Sequence, residues 1–456
     1  MIRLIALTCL AGVWGAFQLR AVADERSAPN DVPASEKMAF YIYPHQVLAK
    51  ASRSVDAVRQ HFRRIKNHVG SSSRFGTVGI ALVHPYTAFI AGKGPYDFHV
   101  PSHFVTFYGR VVEAAVAESM PLMVCFNGAQ WASAEGPYNA YWKQKNGGRY
   151  LSRYIDGKVN ESIPFAPPIA PKLIRRFLAT GPYADGKNAL FLTHSSQAED
   201  LRAARLKVLR LAASMWKQIQ KSHANARIIY STDSEVANFS FRKSEGLMTP
   251  IGYEELLTQE FCRQNHIADC RTFFSRKRFT YRTALEKKWF SFRADVHRSF
   301  VQDSVNAIRV ELDDAVVYTH QIPTLEGEYV SALGHDFASP QRTAFVKGSR
   351  PGFTIYVHGK QDAHVEQVSV EIGRKVASGH WAAVEFNPGK TWKGSRRELT
   401  AYTLEVLCYL HRNRCRLVAP ISWESNPLDQ GIKASGVDTG IKEFLRLGPI
   451  GDRSAG

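Results

Sequence analysis

The sequence predicts an eight-stranded β/α barrel of the TIM type, and three observations carry that expectation. Short apolar runs rich in β-formers recur along the chain, and most are followed by a longer segment with apolar residues at helical spacing. No low-complexity linker or internal repeat divides the chain. Such alternation is the pattern of a parallel sheet with helices outside it, and eight units suit a closed ring better than an open doubly wound sheet.

The eight runs are Val78 to Val83, Leu122 to Phe126, Ala189 to Thr193, Ile228 to Ser231, Ala315 to Tyr318, Phe353 to Val357, Ala382 to Val384 and Leu417 to Pro420. Helical spacing marks Phe104 to Ser119, Ala198 to Gln220, Ala284 to Arg309, His364 to Ala377 and Arg397 to His411. The stretches after the second and fourth runs, Gly128 to Lys187 and Val236 to Asp314, exceed a simple crossover and are expected to be insertions on the catalytic rim. The proline-dense Pro164 to Pro171 is expected to be a loop.

The chain opens with Arg3, an apolar run from Leu4 to Leu19 and the triplet Ala21-Val22-Ala23, the layout of a cleavable secretory signal over residues 1–23. A polar, disordered segment is expected over 24–37, then one catalytic domain over 38–456. No later run reaches the roughly 20 apolar residues of a membrane span. A secreted or periplasmic protein is therefore expected. In an oxidising compartment the near pairs Cys262 with Cys270 and Cys408 with Cys415 could each close a small loop, or remain buried thiols.

The formal charge is +18, with Arg3 and Arg20 in the signal. The basic clusters are short and scattered and have no nucleic-acid motif beside them, so a solvated basic surface is expected, with attraction to an anionic envelope or glycan. No Gly-x-Ser-x-Gly elbow, Walker loop, dinucleotide fingerprint or Cys/His ligand spacing is present. No cofactor is expected.

In barrels of this kind the loops after the strands build the site. Strand four, Arg227 to Ser231, ends in Thr232-Asp233-Ser234-Glu235, and strand seven, Trp381 to Val384, ends in Glu385-Phe386-Asn387-Pro388. These strands stand on opposite sides of an eight-membered ring. Glu235 and Glu385 can therefore face each other across its mouth, as cleavage of a glycosidic bond requires: one carboxyl protonates the leaving oxygen while the other attacks the anomeric carbon or activates water. A glutamate at a strand end also serves as a helix cap or ion-pair partner; the pairing across the ring is what favours catalysis.

On these residues the chain resembles clan A of the glycoside hydrolases, the superfamily of β-galactosidases and cellulases. The resemblance implies Glu235 as acid/base, Glu385 as nucleophile and an oligo- or polysaccharide substrate. Many members carry Asn directly before the acid/base, where this chain has Ser234. Tyr356 resembles the tyrosine that touches the nucleophile, and Trp423 the aromatic floor beneath the sugar. Trp131 and Asn127, after strand two, and the strand-end histidines His84, His194 and His320 complete the expected substrate contacts.

Three other readings stay open. Asp233 and Glu235 also form the Asp-x-Glu of substrate-assisted chitinases, without the longer Asp-rich run upstream. His84, His194 and His320 with Asp233 could ring a divalent metal, although no His-x-His or HExxH motif is present. A non-catalytic glycan-binding barrel would carry the same aromatics.

Overall fold

Eight short segments dominated by Val, Ile, Leu, Ala and aromatic residues form parallel strands: β1 Met38–Ile42, β2 Gly76–His84, β3 Leu122–Phe126, β4 Ile228–Ser231, β5 Val317–Tyr318, β6 Gly352–Tyr356, β7 Trp381–Asn387 and β8 Cys415–Pro420. The computed structural model describes residues 37–449 apart from 45–46, 71–72, 88, 128–137, 139–140, 143–144, 155, 159–191, 233–238, 243–246, 251, 276–282, 322, 324–328, 331–334, 337–343, 357–362, 377–378, 388–393, 421–422 and 424–431. The strands lie side by side in the order β6-β7-β8-β1-β2-β3-β4-β5. Parallel bridges from Tyr318 to Arg350 and from Gln321 to Phe353 then join the two ends of this sheet. The expected β/α barrel is the observed fold.

Side chains alternate between the two faces of each strand, as strand geometry requires. Ala39, Tyr41, Tyr43, Ala81, Met123, Ile229, Val316, Tyr318, Ala382, Val384, Leu417 and Ala419 fill the barrel interior. Met38, Phe40, Ile42, Val78, Ile80, Leu82, Val124, Phe353 and Val418 face the surrounding helices. Interior space is shared between large and small residues. A Cβ at Gly79 would sit 2.9 Å from the Tyr41 ring, so the β2 glycine admits the β1 tyrosine.

The longer helices are α1 Val55–Val69, α2 Ser102–Ala117, α3 Glu199–Ser222, α4 Glu255–Gln264, α5 Ala284–Glu311, α6 Ala363–Lys375, α7 Arg396–Arg412 and α8 Val437–Leu447. Helix α1 shows why they form. Ser54 caps it by accepting from the Ala57 amide, and Val58, Phe62, Ile65 and Val69 make one buried stripe. Reciprocal capping boxes start α5 (Thr283 with Glu286) and α7 (Ser395 with Glu398). Among the described residues no helix is long and apolar enough to cross a membrane.

Two expected features need correction. The barrel begins one strand earlier than the sequence reading had it, at Met38–Ile42, while of the run Ala189 to Thr193 residues 189–191 lie outside the described residues and Leu192 makes only an isolated antiparallel bridge to Leu151. The two errors cancel from strand four onward. The cysteines also divide. Cys262 and Cys270 form a disulfide between α4 and the short helix Cys270–Phe274, whereas Cys408 and Cys415 are buried thiols outside any disulfide. The Cys415 thiol donates to the Leu417 carbonyl at 3.1 Å and is pushed up to about 12 by burial. That thiol is held inert by its own strand.

The segment between β4 and α5 contains the hairpin Phe239–Arg242 with Leu247–Pro250, then α4 and the disulfide-linked short helix. A separate apolar cluster of Leu257, Phe261, Phe273, Trp289 and Phe290 packs these helices against α5. Residues 1–36, which hold the expected signal and all but the last residue of the expected polar segment, lie outside the described residues.

Candidate active site at the barrel mouth

All eight strands run in one direction, so their C-terminal ends share one rim. Strand β7 reaches it through an irregularity. Ala382 and Val384 face the interior, and strict alternation would turn Glu385 out toward the helices. The register of β7 slips instead, against β6 between Phe353 and Thr354 and against β8 between Ala383 and Phe386. A bulge of this kind inserts one residue and re-aims the next side chain. Val384 stays in the interior, Phe386 returns to the outer layer, and Glu385 turns into the mouth with 15% of its side chain exposed.

The groups around Glu385 come from four other strands. His320, two residues past β5, brings Nε2 to 3.4 Å from Glu385 Oε2 and to 2.7 Å from Thr354 Oγ1 on β6. Its Nδ1 lies 3.7 Å from Cys125 Sγ on β3. Both ring nitrogens of His320 are thus engaged, which fixes the plane of the imidazole beside the carboxylate. Tyr43, one residue past β1, donates its hydroxyl to the Val384 carbonyl at 3.1 Å. Burial above all, then the neighbouring Cys125 and Glu385, hold the Tyr43 phenol well above its ordinary pKa. It is a standing hydrogen-bond donor.

Trp423 follows β8, but at 5% exposure it belongs to the apolar layer beneath the helices and presents no open floor for a sugar. Its amide donates to the Tyr43 carbonyl at 2.8 Å, and its ring meets His68 edge to face at 5.3 Å between centroids. His68 is in turn paired with the buried Asp438 of α8. The backbone N–H of Asn127, just past β3, donates to the His84 carbonyl at 3.0 Å, and the residue is 9% exposed.

Other expected residues are placed differently. His84 shares the face of Val78, Ile80 and Leu82, so it points out of the barrel and packs among Phe89, Tyr108, Phe126 and Trp216. It is fully buried and, among the described residues, neither nitrogen has a hydrogen-bond partner; burial depresses its pKa to about 3. It is a core residue and not a substrate contact. His194 stacks on Phe300 of α5 at 4.1 Å and faces His297. It lines a cavity of about 570 Å³ between α3 and α5 whose described lining includes Ser195, Glu260 and Asp303 but none of the groups around Glu385. The three histidines expected to ring a metal are therefore dispersed, and among the described residues no cluster of His, Cys, Asp or Glu could hold one.

Glu235, Asp233 and Trp131 lie outside the described residues, as does the side chain of Tyr356, whose backbone belongs to β6. On the β4 side the described chain ends at Thr232, whose amide donates to the Tyr318 carbonyl at 2.8 Å. Glu235 is three residues further along. Sequence reasoning missed Tyr43 because it missed β1, and missed Cys125 and Thr354 because an apolar or β-branched context hides a polar atom. The alternation of large and small residues in Gly79, Ala81 and Val83 against Val78, Ile80 and Leu82 does distinguish the faces of β2. It would have placed His84 correctly.

No protein-family model matches this sequence, and no curated protein matches it. Solved structures do. The β-galactosidase of the psychrophilic Marinomonas ef1 is similar at a TM-score of 0.53 and 9% identity, over 90% of this chain and 59% of that one. The fold is shared. The GH42 β-galactosidase Gan42B is similar at 0.53 and 10% identity, over 91% and 56%, and the β-galactosidase of Rahnella sp. R3 at 0.51 and 11%, over 91% and 55%. This chain thus spans less than two thirds of the length of these neighbours, and at such identities the likeness is one of architecture.

Proposed function

We propose that the protein is an exported glycoside hydrolase that cleaves a glycosidic bond with retention of configuration, with Glu385 as nucleophile and Glu235 as acid/base. The observation that carries this reading is the β7 bulge, which turns a carboxylate into the mouth of a β/α barrel against His320 and Thr354. Across the same mouth lies the end of β4, three strands away round one side of the ring and five round the other, where the chain continues to Glu235.

In the first step Glu385 attacks the anomeric carbon as Glu235 gives its proton to the departing oxygen; in the second Glu235 takes a proton from water, which displaces Glu385 from the sugar. His320 orients the nucleophile. Asp233 sits close enough in sequence to favour the protonated form of Glu235 by like-charge repulsion. Export is supported by the N-terminal signal pattern and by the disulfide between Cys262 and Cys270.

The test is a panel of 4-nitrophenyl β-glycosides, beginning with the galactoside because β-galactosidases share the fold, followed by glucoside, mannoside and xyloside. Glu385→Ala is expected to lose several orders of magnitude in turnover and to regain product formation with azide, which takes the place of the missing carboxylate. Glu235→Gln should suffer less on an activated aryl glycoside than on a natural linkage. Unchanged turnover in Glu385→Ala removes the mechanism, an inverted product anomer removes retention, and binding of glycans without turnover by the wild type makes the barrel a lectin.

A further inference from the structure

We infer that Tyr43 is a positioning residue for the nucleophile, holding through the Val384 carbonyl the bulge that turns Glu385 into the barrel mouth. The inference rests on the glycosidase reading for its catalytic consequence but on separate observations for its geometry. A bulge leaves a ladder unpaired locally, and a buried carbonyl without a donor is costly. The Tyr43 hydroxyl supplies that donor at 3.1 Å from a strand two places away around the ring. The residue is 4% exposed and stays protonated through burial, so its hydroxyl cannot turn to solvent and does not lose its proton at working pH.

The same residue reaches a second part of the site. Its carbonyl accepts from the Trp423 amide at 2.8 Å, and its own amide donates to the Pro420 carbonyl at 3.3 Å. The backbone of Tyr43 thereby sets where the chain leaves β8 toward the aromatic ring, while its side chain sets where the carboxylate points. These two functions separate cleanly by mutation. Tyr43→Phe removes the hydroxyl's bonds to Val384 and Cys125 and leaves the backbone bonds and the ring in place.

With the glycoside that the wild type hydrolyses, Tyr43→Phe is expected to lower kcat about 10- to 100-fold, the range for one lost buried hydrogen bond felt in full at the reacting group, with KM within about twofold. Tyr41→Phe, two residues earlier on the same strand and equally buried in the interior, controls for loss of a core hydroxyl and should keep kcat within about twofold. A second readout needs no turnover. In protein labelled with carboxyl-¹³C glutamate, the Glu385 signal is identified by its disappearance in Glu385→Gln, and Tyr43→Phe should shift it and its titration while Tyr41→Phe does not.

Equal loss of kcat in both tyrosine variants, or a Glu385 signal unmoved by Tyr43→Phe, overturns the inference. If the wild type hydrolyses no glycoside, the glycosidase reading fails and the carboxyl signal alone decides: a shift upholds the control of Glu385 by Tyr43, and none refutes it.

Discussion

His84 makes the protein sensitive to acid in a way that can be isolated. The ring is fully buried among four aromatic side chains, neither nitrogen has a partner among the described residues, and its pKa falls from 6.5 to about 3. The unfolded chain takes up this proton near pH 6.5 and the folded chain only near 3. The stability due to the neutral ring is therefore fully present above pH 6.5 and is lost as pH falls from there toward 3. Each pH unit in that window costs about 1.4 kcal/mol, so at pH 4.5, two units below the unfolded value, the loss from His84 is about 3 kcal/mol. His84→Phe keeps an aromatic ring at the site and abolishes the titration. Urea unfolding at pH 7.0 and 4.5 should show the variant losing about 3 kcal/mol less than the wild type between the two conditions. Taking the difference within each protein cancels the packing change, and His194 and His297, which titrate in both, cancel as well. Equal losses in the two proteins would show that the imidazole is hydrated or paired, and the argument from burial would be wrong.

Three further outcomes concern the scaffold. Replacing Cys262 and Cys270 together by serine should cost about 2.5 kcal/mol, since the bridge spans a sequence separation of 8 and closes a short loop; a thermal midpoint unchanged by reductant in the wild type would contradict it. Gly352→Ala should prevent closure of the barrel, because a Cβ there would meet the Thr319 carbonyl oxygen at 2.0 Å, whereas Gly109→Ala in α2 meets nothing within 4 Å and should stabilise by about 0.5–1 kcal/mol. Circular dichroism melts of the two variants check both, and a soluble, native-like Gly352→Ala protein would be the contrary result.

The architecture was legible because strand and helix periodicities differ and a parallel barrel repeats the contrast around the ring. Its origin was not. Met38–Ile42 directly follows a polar stretch, and with Met, Ala and two aromatics it lacks the run of Val and Ile that flags β2. The position of Glu385 at the end of β7 could be read from the sequence, but its direction could not, since the direction depends on a register slip that pairing with β6 and β8 imposes. For His84 the opposite holds. Its address at a strand end suggested function, while the face it occupies was already written in the large residues at 78, 80 and 82. Long-range hydrogen bonds such as Tyr43 to Val384 leave no local trace in either segment.

The seam between β1 and β8 has a temporal consequence. Ala39 pairs with Leu417 and Phe40 with Val418, so a chain emerging from its N-terminus must carry its first strand half-paired through almost the entire period of synthesis. Tyr43 and Trp423 come together across that seam, and a nascent chain lacking the final strand has no place for either. Completion of the barrel mouth is then among the last events of assembly, and contacts so remote in the chain close slowly.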